Sequence, residues 1–538
     1  MPGPDPASPL ASEPGLVGAA LALGARGVPG WSERESALVR EMDPRAPGEA
    51  ALRDIRALIA EGSDPLGEAF CGLRSPERRR PDGATYTPPA IVESMVAWAA
   101  DDPPPGRVVD PGAGSGRFAV AAGRRFPRAR VLAVELDPVA AICCRGHLAA
   151  AGLAGRARVE AADYRALPAE PPDDGAGTLY LGNPPYVRHH QIAPAWKEWL
   201  TLTARAHGLE ASQLAGLHVY FFLATAARAR TGDRGAFITS SEWLDTNYGR
   251  LVRELLLGRM GGEAIHILEP TAMPFGDAAV TGAITCFQVE RPPVSVRFRR
   301  VRQADELGPL RGGEPVDAGR LREAPRWSRL TRPPAPAPEG HVPLGEICRV
   351  HRGAVTGSNA TWVVRPGATD LPPAVLFPTI TRAREIFDAG RALDSAHHLR
   401  LVVDLPADLE EFEGPELRRI RRFLSRARRL GAHEGYIARA RRSWWSVGLR
   451  APAPILATYM ARRPPAFTRN LAQARHINIA HGLYPRIEMP DRAVERLVAA
   501  LRDTVTVDGG RTYAGGLTKF EPREMERVLV PGPELLLA

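Results

Sequence analysis

The chain has 538 residues, too many for one hydrophobic core, so two or three domains are expected. Its net charge is +9, and the basic side chains are arginines apart from Lys197 and Lys519. That suits a polyanionic partner; codon bias explains arginine over lysine more easily than it explains the positive balance. Five cysteines with no C-x-x-C pair argue against a zinc site or a disulfide framework and fit a reducing cytoplasm. No apolar run reaches membrane-spanning length, and acidic rather than basic residues precede Leu16–Leu23, unlike a signal peptide.

Residues 1 to about 30 are rich in Pro, Gly and Ala, and disorder is expected at their start. From Ser32 to Ala60 the spacing of Leu38, Val39, Met42, Leu52, Ile55 and Ile59 predicts helices broken near Pro44–Pro47. Thr87-Pro88-Pro89 precedes Ile91, Val92, Met95, Val96 and Trp98 at helical spacing. Thr87 is expected to cap that helix, with Pro88 as its first residue. Such an N-terminus presents free N–H groups to a carboxylate.

Arg107-Val-Val-Asp110 predicts a short strand that runs into Pro111-Gly112-Ala113-Gly114-Ser115-Gly116, with a helix from Phe118. Strand, glycine loop and helix make a nucleotide-type turn. Asp110 stands at the strand tip, where it can meet an ammonium group. Val131–Glu135 is the second strand, and Glu135 can accept hydrogen bonds from two ribose hydroxyls. Ala157–Ala162 is the third; Asp163 after it can accept from an adenine amine, with Tyr164 packed beside the ring.

Gly177–Gly182 is an apolar run that reads as a buried strand, ended by Asn183-Pro184-Pro185-Tyr186. An aromatic amine is a poor nucleophile because its lone pair is delocalised into the ring. The neutral amide oxygen of Asn183 and the proline-held carbonyl of Pro184 can both accept from such an NH2, draw the nitrogen toward tetrahedral geometry and free the lone pair. Tyr186 offers a ring on which a base can stack. A nicotinamide dinucleotide would use the loop and Glu135, but would leave Asn183–Tyr186 without a role.

These pieces, in this order, resemble the gamma-class, TaqI-like and Eco57I-like, adenine-N6 DNA methyltransferases that use S-adenosylmethionine. The resemblance is carried by Thr87-Pro-Pro89, Asp110–Gly116, Glu135-Leu-Asp137, Asp163 and Asn183–Tyr186. It implies an α/β fold: a Rossmann-like sheet with helices on both faces and a C-terminal α+β target-recognition domain. It further implies that Thr87, Asp110, Pro111, Gly112, Ala113, Gly114, Gly116, Glu135, Leu136, Asp163, Tyr164 and Asn183 surround the cofactor. Asn183, Pro184, Pro185 and Tyr186 then hold the target base, with Phe275 as a second ring contact. Arg188 and His189 lie in a loop that approaches DNA in such enzymes. No metal is implied, and the two histidines lack partner ligands.

Four segments follow: a helical, partly disordered extension (1–80), a catalytic domain (81–295), a Pro/Gly-rich linker (296–340) and a recognition domain (341–538). In the last, Arg352-Gly-x-x-Thr-Gly-x-Asn359 resembles the start of the recognition region in this family. Leu417–Leu430 is a helix dense in arginine, and Arg441 and Arg442 precede Trp444-Trp445. Basic residues interleaved with Tyr436, Trp444, Trp445 and Tyr459 suit a phosphate-tracking surface on double-stranded DNA. The resemblance implies a bacterial, cytoplasmic enzyme of restriction-modification or phage defence, with a cognate endonuclease encoded separately. Methylation of RNA adenine or protein glutamine, or a DNA-binding module with a degenerate core, remain alternatives.

Overall fold

The computed structural model describes residues 10–74, 87–168, 176–269, 281–331, 338–461, 463–506, 510–513 and 517–538. The chain divides into two compact units, Met1–Pro333 and Pro334–Ala538.

The first unit is organised on a nine-stranded sheet: β1 (Arg107–Pro111), β2 (Arg130–Val134), β3 (Ala157–Glu160), β4 (Thr178–Gly182), β5 (Arg234–Ser240), β6 (Gly262–Leu268), β7 (Gly282–Gln288), β8 (Ser295–Val301) and β9 (Glu314–Asp317). The spatial order is 3-2-1-4-5-7-6-8-9. Strands β1 to β5 pair in parallel, and β7 runs antiparallel between β5 and β6. This is the Rossmann-like methyltransferase sheet expected from the resemblance. Strand β4 is buried along its whole length, hence its continuous apolar sequence. The pleat sends Val108, Leu179 and Leu181 to one face and Val109 and Tyr180 to the other, where separate apolar clusters receive them.

Helices cover both faces: α1 (Glu13–Ala22), α2 (Glu33–Met42), α3 (Glu49–Ala60), α4 (Pro65–Leu73), α5 (Pro89–Ala100), α6 (Arg117–Arg125), α7 (Pro138–Ala150), α8 (Pro194–Ala206), α9 (Leu217–Arg228) and α10 (Arg250–Leu257). The order of the strands reverses between β1 and β4, the switch point at which open α/β sheets bind ligands beyond the carboxyl strand ends.

Two segment boundaries differ from expectation. The sheet does not end at residue 295: β8 pairs in parallel with β6, and β9 pairs with β8. Val296 and Phe298 are buried two residues apart and Val301 closes the strand, a short alternation masked by the surrounding Pro, Gly and Arg. At the other end, residues 10–74 are not an appendage. Leu16, Val17, Ala19 and Ala20 of α1 pack with Val139, Ile142 and Cys143 of α7 in one buried cluster.

Beneath that cluster, Ser32 and Glu35 form a reciprocal cap on α2. Glu35 also accepts from the Arg145 Nε of α7 at 2.6 Å, both side chains being fully buried. Arg145 donates further to the carbonyls of Val28, Pro29, Gly30 and Val159. Removing one member of such a pair leaves a buried charge unmatched, so Glu35→Ala is expected to cost about 3–5 kcal/mol in denaturant unfolding.

The second unit holds a five-stranded sheet in the order Cys348–Arg352, Ala480–Pro485, Ile455–Thr458, Phe467–Asn470, Ala392–Leu393, with three smaller sheets. Its longest helix, Gly414–Arg429, buries Ile420 and Ala427 and half-buries Leu417, Phe423 and Leu424 against an apolar cluster. Arg418, Arg421, Arg422, Arg426, Arg428 and Arg429 stand exposed on its other side.

Candidate active site

Asp110, the last residue but one of β1, has no exposed surface. Its Oδ2 accepts from the Ala119 N–H of α6 at 3.1 Å, while its Oδ1 is buried with no partner. Burial pushes this carboxyl up to about 8. An orphaned, buried anionic oxygen is a site for a cation.

The loop after it is shaped by glycine. Gly112, Gly114 and Gly116 have φ of 98°, 55° and 90°, in the left-handed region. The Gly112 and Ala113 N–H groups donate to the Val134 carbonyl, which pins the loop to the end of β2. At Gly116 a Cβ would lie 2.8 Å from the Cys144 sulfur, so no side chain fits. At Gly114 a Cβ would meet nothing within 4 Å, so that stretch faces open space. Glu135 is tied in by both oxygens, accepting from Gly114 N–H at 2.7 Å and Asp137 N–H at 2.9 Å. Burial raises its carboxyl to about 7, and each oxygen keeps a lone pair for a hydroxyl donor. Leu136 beside it is exposed.

Asp163 accepts from its neighbour Arg165, at 2.9 Å from Nε and 2.6 Å from Nη2. The Arg165 guanidinium in turn sits 3.8 Å from the ring centre of Trp196 on α8. Nothing in the sequence marks Arg165 apart from the chain's many arginines, so this clamp is not foreseen there. Tyr164 departs from expectation. Its ring is 3% exposed, stacks on Phe221 and hydrogen-bonds Thr225 on α9. It belongs to the core rather than to a ligand-facing wall.

The tetrapeptide meets this loop at the ends of β1 and β4. A Cβ on Gly112 would lie 3.5 Å from Pro185 Cδ and 3.9 Å from the Asn183 carbonyl oxygen. Thr87 does not cap α5; the cap is Pro88, and Pro89 is the first helical residue. Thr87 is instead buried, and its hydroxyl accepts from Asn183 Nδ2 at 3.0 Å. That bond turns the nitrogen of the amide toward Thr87 and sets the plane of its oxygen. Pro184 is buried, and the Tyr186 hydroxyl is buried without a partner; burial raises that phenol well above its ordinary value. Arg188 is exposed and His189 half-buried in the turn that follows. Phe275 lies outside the described residues.

The family model for the C-terminal domain of the type II methyltransferase M.Eco57I matches residues 337–536. The type II methyltransferase M.XamI of Xanthomonas campestris pv. amaranthicola is 51% identical over 475 residues, which cover 88% of each chain. The chain belongs to the type II methyltransferase family. More distantly, this methyltransferase is 21% identical to M.AccI of Acinetobacter calcoaceticus, over 84% of this chain and 85% of that one. Among solved structures, the restriction-modification enzyme MmeI in complex with DNA shares its fold. The TM-score is 0.54 at 14% identity, over 82% of this chain and 67% of that one.

In the second unit of the methyltransferase, the expected aromatic surface is arranged differently. Trp444 packs against Trp362 and His433, while Trp445 donates to the Pro406 carbonyl; both are half-buried pegs of the core. Tyr459 is buried beneath Arg352. Tyr436 is the one of the four left outside, at 85% exposure. Arg441 is half-buried and donates to the Val355 carbonyl, tying the Arg352–Asn359 loop to the Tyr436 turn, and Arg442 is exposed. Aromatic-rich patterns alone do not separate these cases, since a buried Trp beside Arg reads the same as an exposed one.

Proposed function

We propose that the protein transfers a methyl group from S-adenosylmethionine to N6 of an adenine swung out of duplex DNA, as the modification enzyme of a bacterial restriction-modification or phage-defence system. A separately encoded endonuclease is its expected counterpart. The observation that carries this is the meeting of the glycine loop with Asn183–Tyr186 at the switch point of the sheet, Gly112 facing Pro185 and the Asn183 carbonyl.

The donor set fits the cofactor. Asp110 Oδ1 is an unpartnered buried acceptor for its ammonium group, Glu135 keeps a lone pair on each oxygen for the ribose, and Asp163 retains acceptor capacity beside its arginine clamp. When bound, S-adenosylmethionine supplies a methyl group on a positively charged sulfur, open to in-line attack. The Asn183 oxygen and the Pro184 carbonyl accept from the adenine amine and free its lone pair. Tyr186 supports the ring. With a neutral amide as acceptor, the amine proton leaves after the methyl arrives. Positioning and a dry, polarised site supply the rate.

A paired, stacked base is out of reach, so the nucleotide is flipped, at a few kcal/mol that phosphate contacts offset. The exposed arginine face of helix Gly414–Arg429 fits that role. Replacing Arg418 and Arg421 by Glu is expected to weaken binding to all duplex sequences alike. Each lost phosphate contact should also flatten the salt dependence of log K by about one. Titration of labelled duplexes at several salt concentrations measures both.

The direct test is expression in a host free of DNA methylation, followed by base-resolved sequencing. N6-methyladenine at one short sequence is expected. Unmodified adenine, with label from the methyl donor on RNA or on a protein glutamine instead, overturns the assignment.

A further inference from the structure

Asp64 lies in the segment before the family motifs, at the start of α4, and is 3% exposed. Its Oδ1 accepts from the Gly67 N–H at 2.8 Å and caps the helix. Its Oδ2 lies between Gly67 of α4 and the glycine loop. There it accepts from the Ser115 hydroxyl and, at 2.8 Å, from Arg117 Nε. His147 on α7 stands 3.5 Å from Oδ1 and hydrogen-bonds the Ser115 carbonyl. The fit is close. A Cβ on Gly67 would lie 2.1 Å from the Asp64 carboxylate and 2.3 Å from the Ser115 hydroxyl, so this glycine lets α4 seat against the loop.

The network continues toward the reacting centre. Arg117 Nη1 donates to the Thr87 carbonyl at 3.2 Å, and the Thr87 hydroxyl accepts from Asn183. Two further ties run from the same N-terminal segment. Arg74 pairs with Asp137, two residues beyond Glu135, and Arg34 donates to the Leu136 carbonyl at 3.1 Å. Every loop that carries a cofactor-facing group on β1 or β2 is thus held from behind by residues 34–74.

We propose that Asp64 is a positioning residue for methyl transfer, and that the N-terminal helices are a structural part of the cofactor site. Asp64 touches neither substrate. It acts by fixing Ser115 and Arg117, and through Arg117 the backbone of Thr87, whose hydroxyl orients the Asn183 amide. The idea rests on the cofactor assignment made above. Its physical basis is that a charge-assisted hydrogen bond between buried groups fixes a loop that glycine otherwise leaves free.

Asp64→Asn is the informative change. Asparagine caps a helix as well as aspartate does, but with its one oxygen on the Gly67 N–H its NH2 faces the loop, where it can donate to the Ser115 oxygen and accepts nothing from Arg117. The expected result is binding of S-adenosylmethionine weaker by about tenfold in calorimetry, the scale of one charged hydrogen bond. Amide hydrogen exchange of residues 112–117 should quicken in the unliganded protein, while residues 130–134 of β2 keep their protection. The Michaelis constant for the cofactor rises, and the turnover number at saturating cofactor changes less. Wild-type affinity together with wild-type exchange in Asp64→Asn overturns the proposal. If that variant fails to fold, Ser115→Ala removes the hydroxyl contact alone, and unchanged exchange in the loop overturns the proposal equally. A wild-type enzyme that binds the donor yet methylates no adenine would sink the proposed substrate and leave this role standing.

Discussion

Asn183→Ala should bind S-adenosylmethionine about as tightly as the wild type and methylate DNA roughly 10²–10³-fold more slowly, the scale of removing one preorganised polar group from a reacting centre. The expectation follows from where the residue stands. It is the first residue after β4, a strand buried on both faces and paired on both edges, so its backbone has little freedom. Thr87 holds its amide nitrogen, which leaves the amide oxygen to act on the target. Nothing else among the described tetrapeptide side chains replaces that acceptor, since Pro184 and Pro185 have none and the Tyr186 hydroxyl lies buried. The carboxylates proposed to face the cofactor, Asp110, Glu135 and Asp163, stand on β1 and just beyond β2 and β3, so donor binding is expected to survive the change. Labelled methyl transfer to duplex DNA, set beside calorimetry of donor binding, separates the two effects. An alanine variant that transfers methyl at near-native rate removes the amide from the mechanism.

The parts of this site that were legible in the sequence are those whose chemistry is local. A strand end followed by glycines at left-handed angles, an acid at the next strand end and an amide before two prolines are each written in consecutive residues. Asp110, Gly112, Gly114, Glu135 and Asn183 therefore fall where the pattern puts them. Partners that meet across long sequence distances were not legible. Thr87 looks like a helix cap from its neighbours, yet it serves an amide 96 positions away. Asp64 caps α4 ahead of Pro65, and its second oxygen is spent on a loop 51 residues on, a contact its neighbours do not announce. Tyr164 follows an acid beyond a strand end and looks like a ring support, but its ring packs on Phe221 and its hydroxyl on Thr225 of α9. In the second unit Trp444, Trp445 and Tyr459 were drawn inward by their apolar area, which outweighs the pull of adjacent arginines. Strands β8 and β9 are hidden because β8 is rich in Arg, β9 holds a Pro, and each alternates over only a few residues.

Asp110→Asn should weaken cofactor binding by roughly 100-fold near neutral pH or above, the scale of a buried hydrogen bond to a charge. It should also change how that binding responds to pH. In the unliganded wild type, burial holds the Asp110 carboxyl at about 8, so below that value it is mostly protonated and neutral. Only the ionised form attracts an ammonium group. Donor affinity is therefore expected to fall as the pH drops below about 8, with a proton released from the carboxyl on binding at pH 7. Calorimetry in two buffers of different ionisation enthalpy counts that proton. Glu135, held at about 7, adds a second and lower step that survives in Asp110→Asn, whereas the upper step disappears. Stability should move the opposite way. A carboxyl raised from its ordinary value favours folding when protonated, and that contribution is lost as the pH rises from about 4 to about 8. Asparagine never ionises, so unliganded Asp110→Asn should resist denaturant better than the wild type at pH 9. A variant that binds the donor normally and keeps the step near pH 8 would show that the ammonium lies elsewhere. The same buried charge that weakens the empty fold is the one that bound cofactor neutralises, so saturating donor should restore the wild type's deficit at pH 9 and do far less for the asparagine variant.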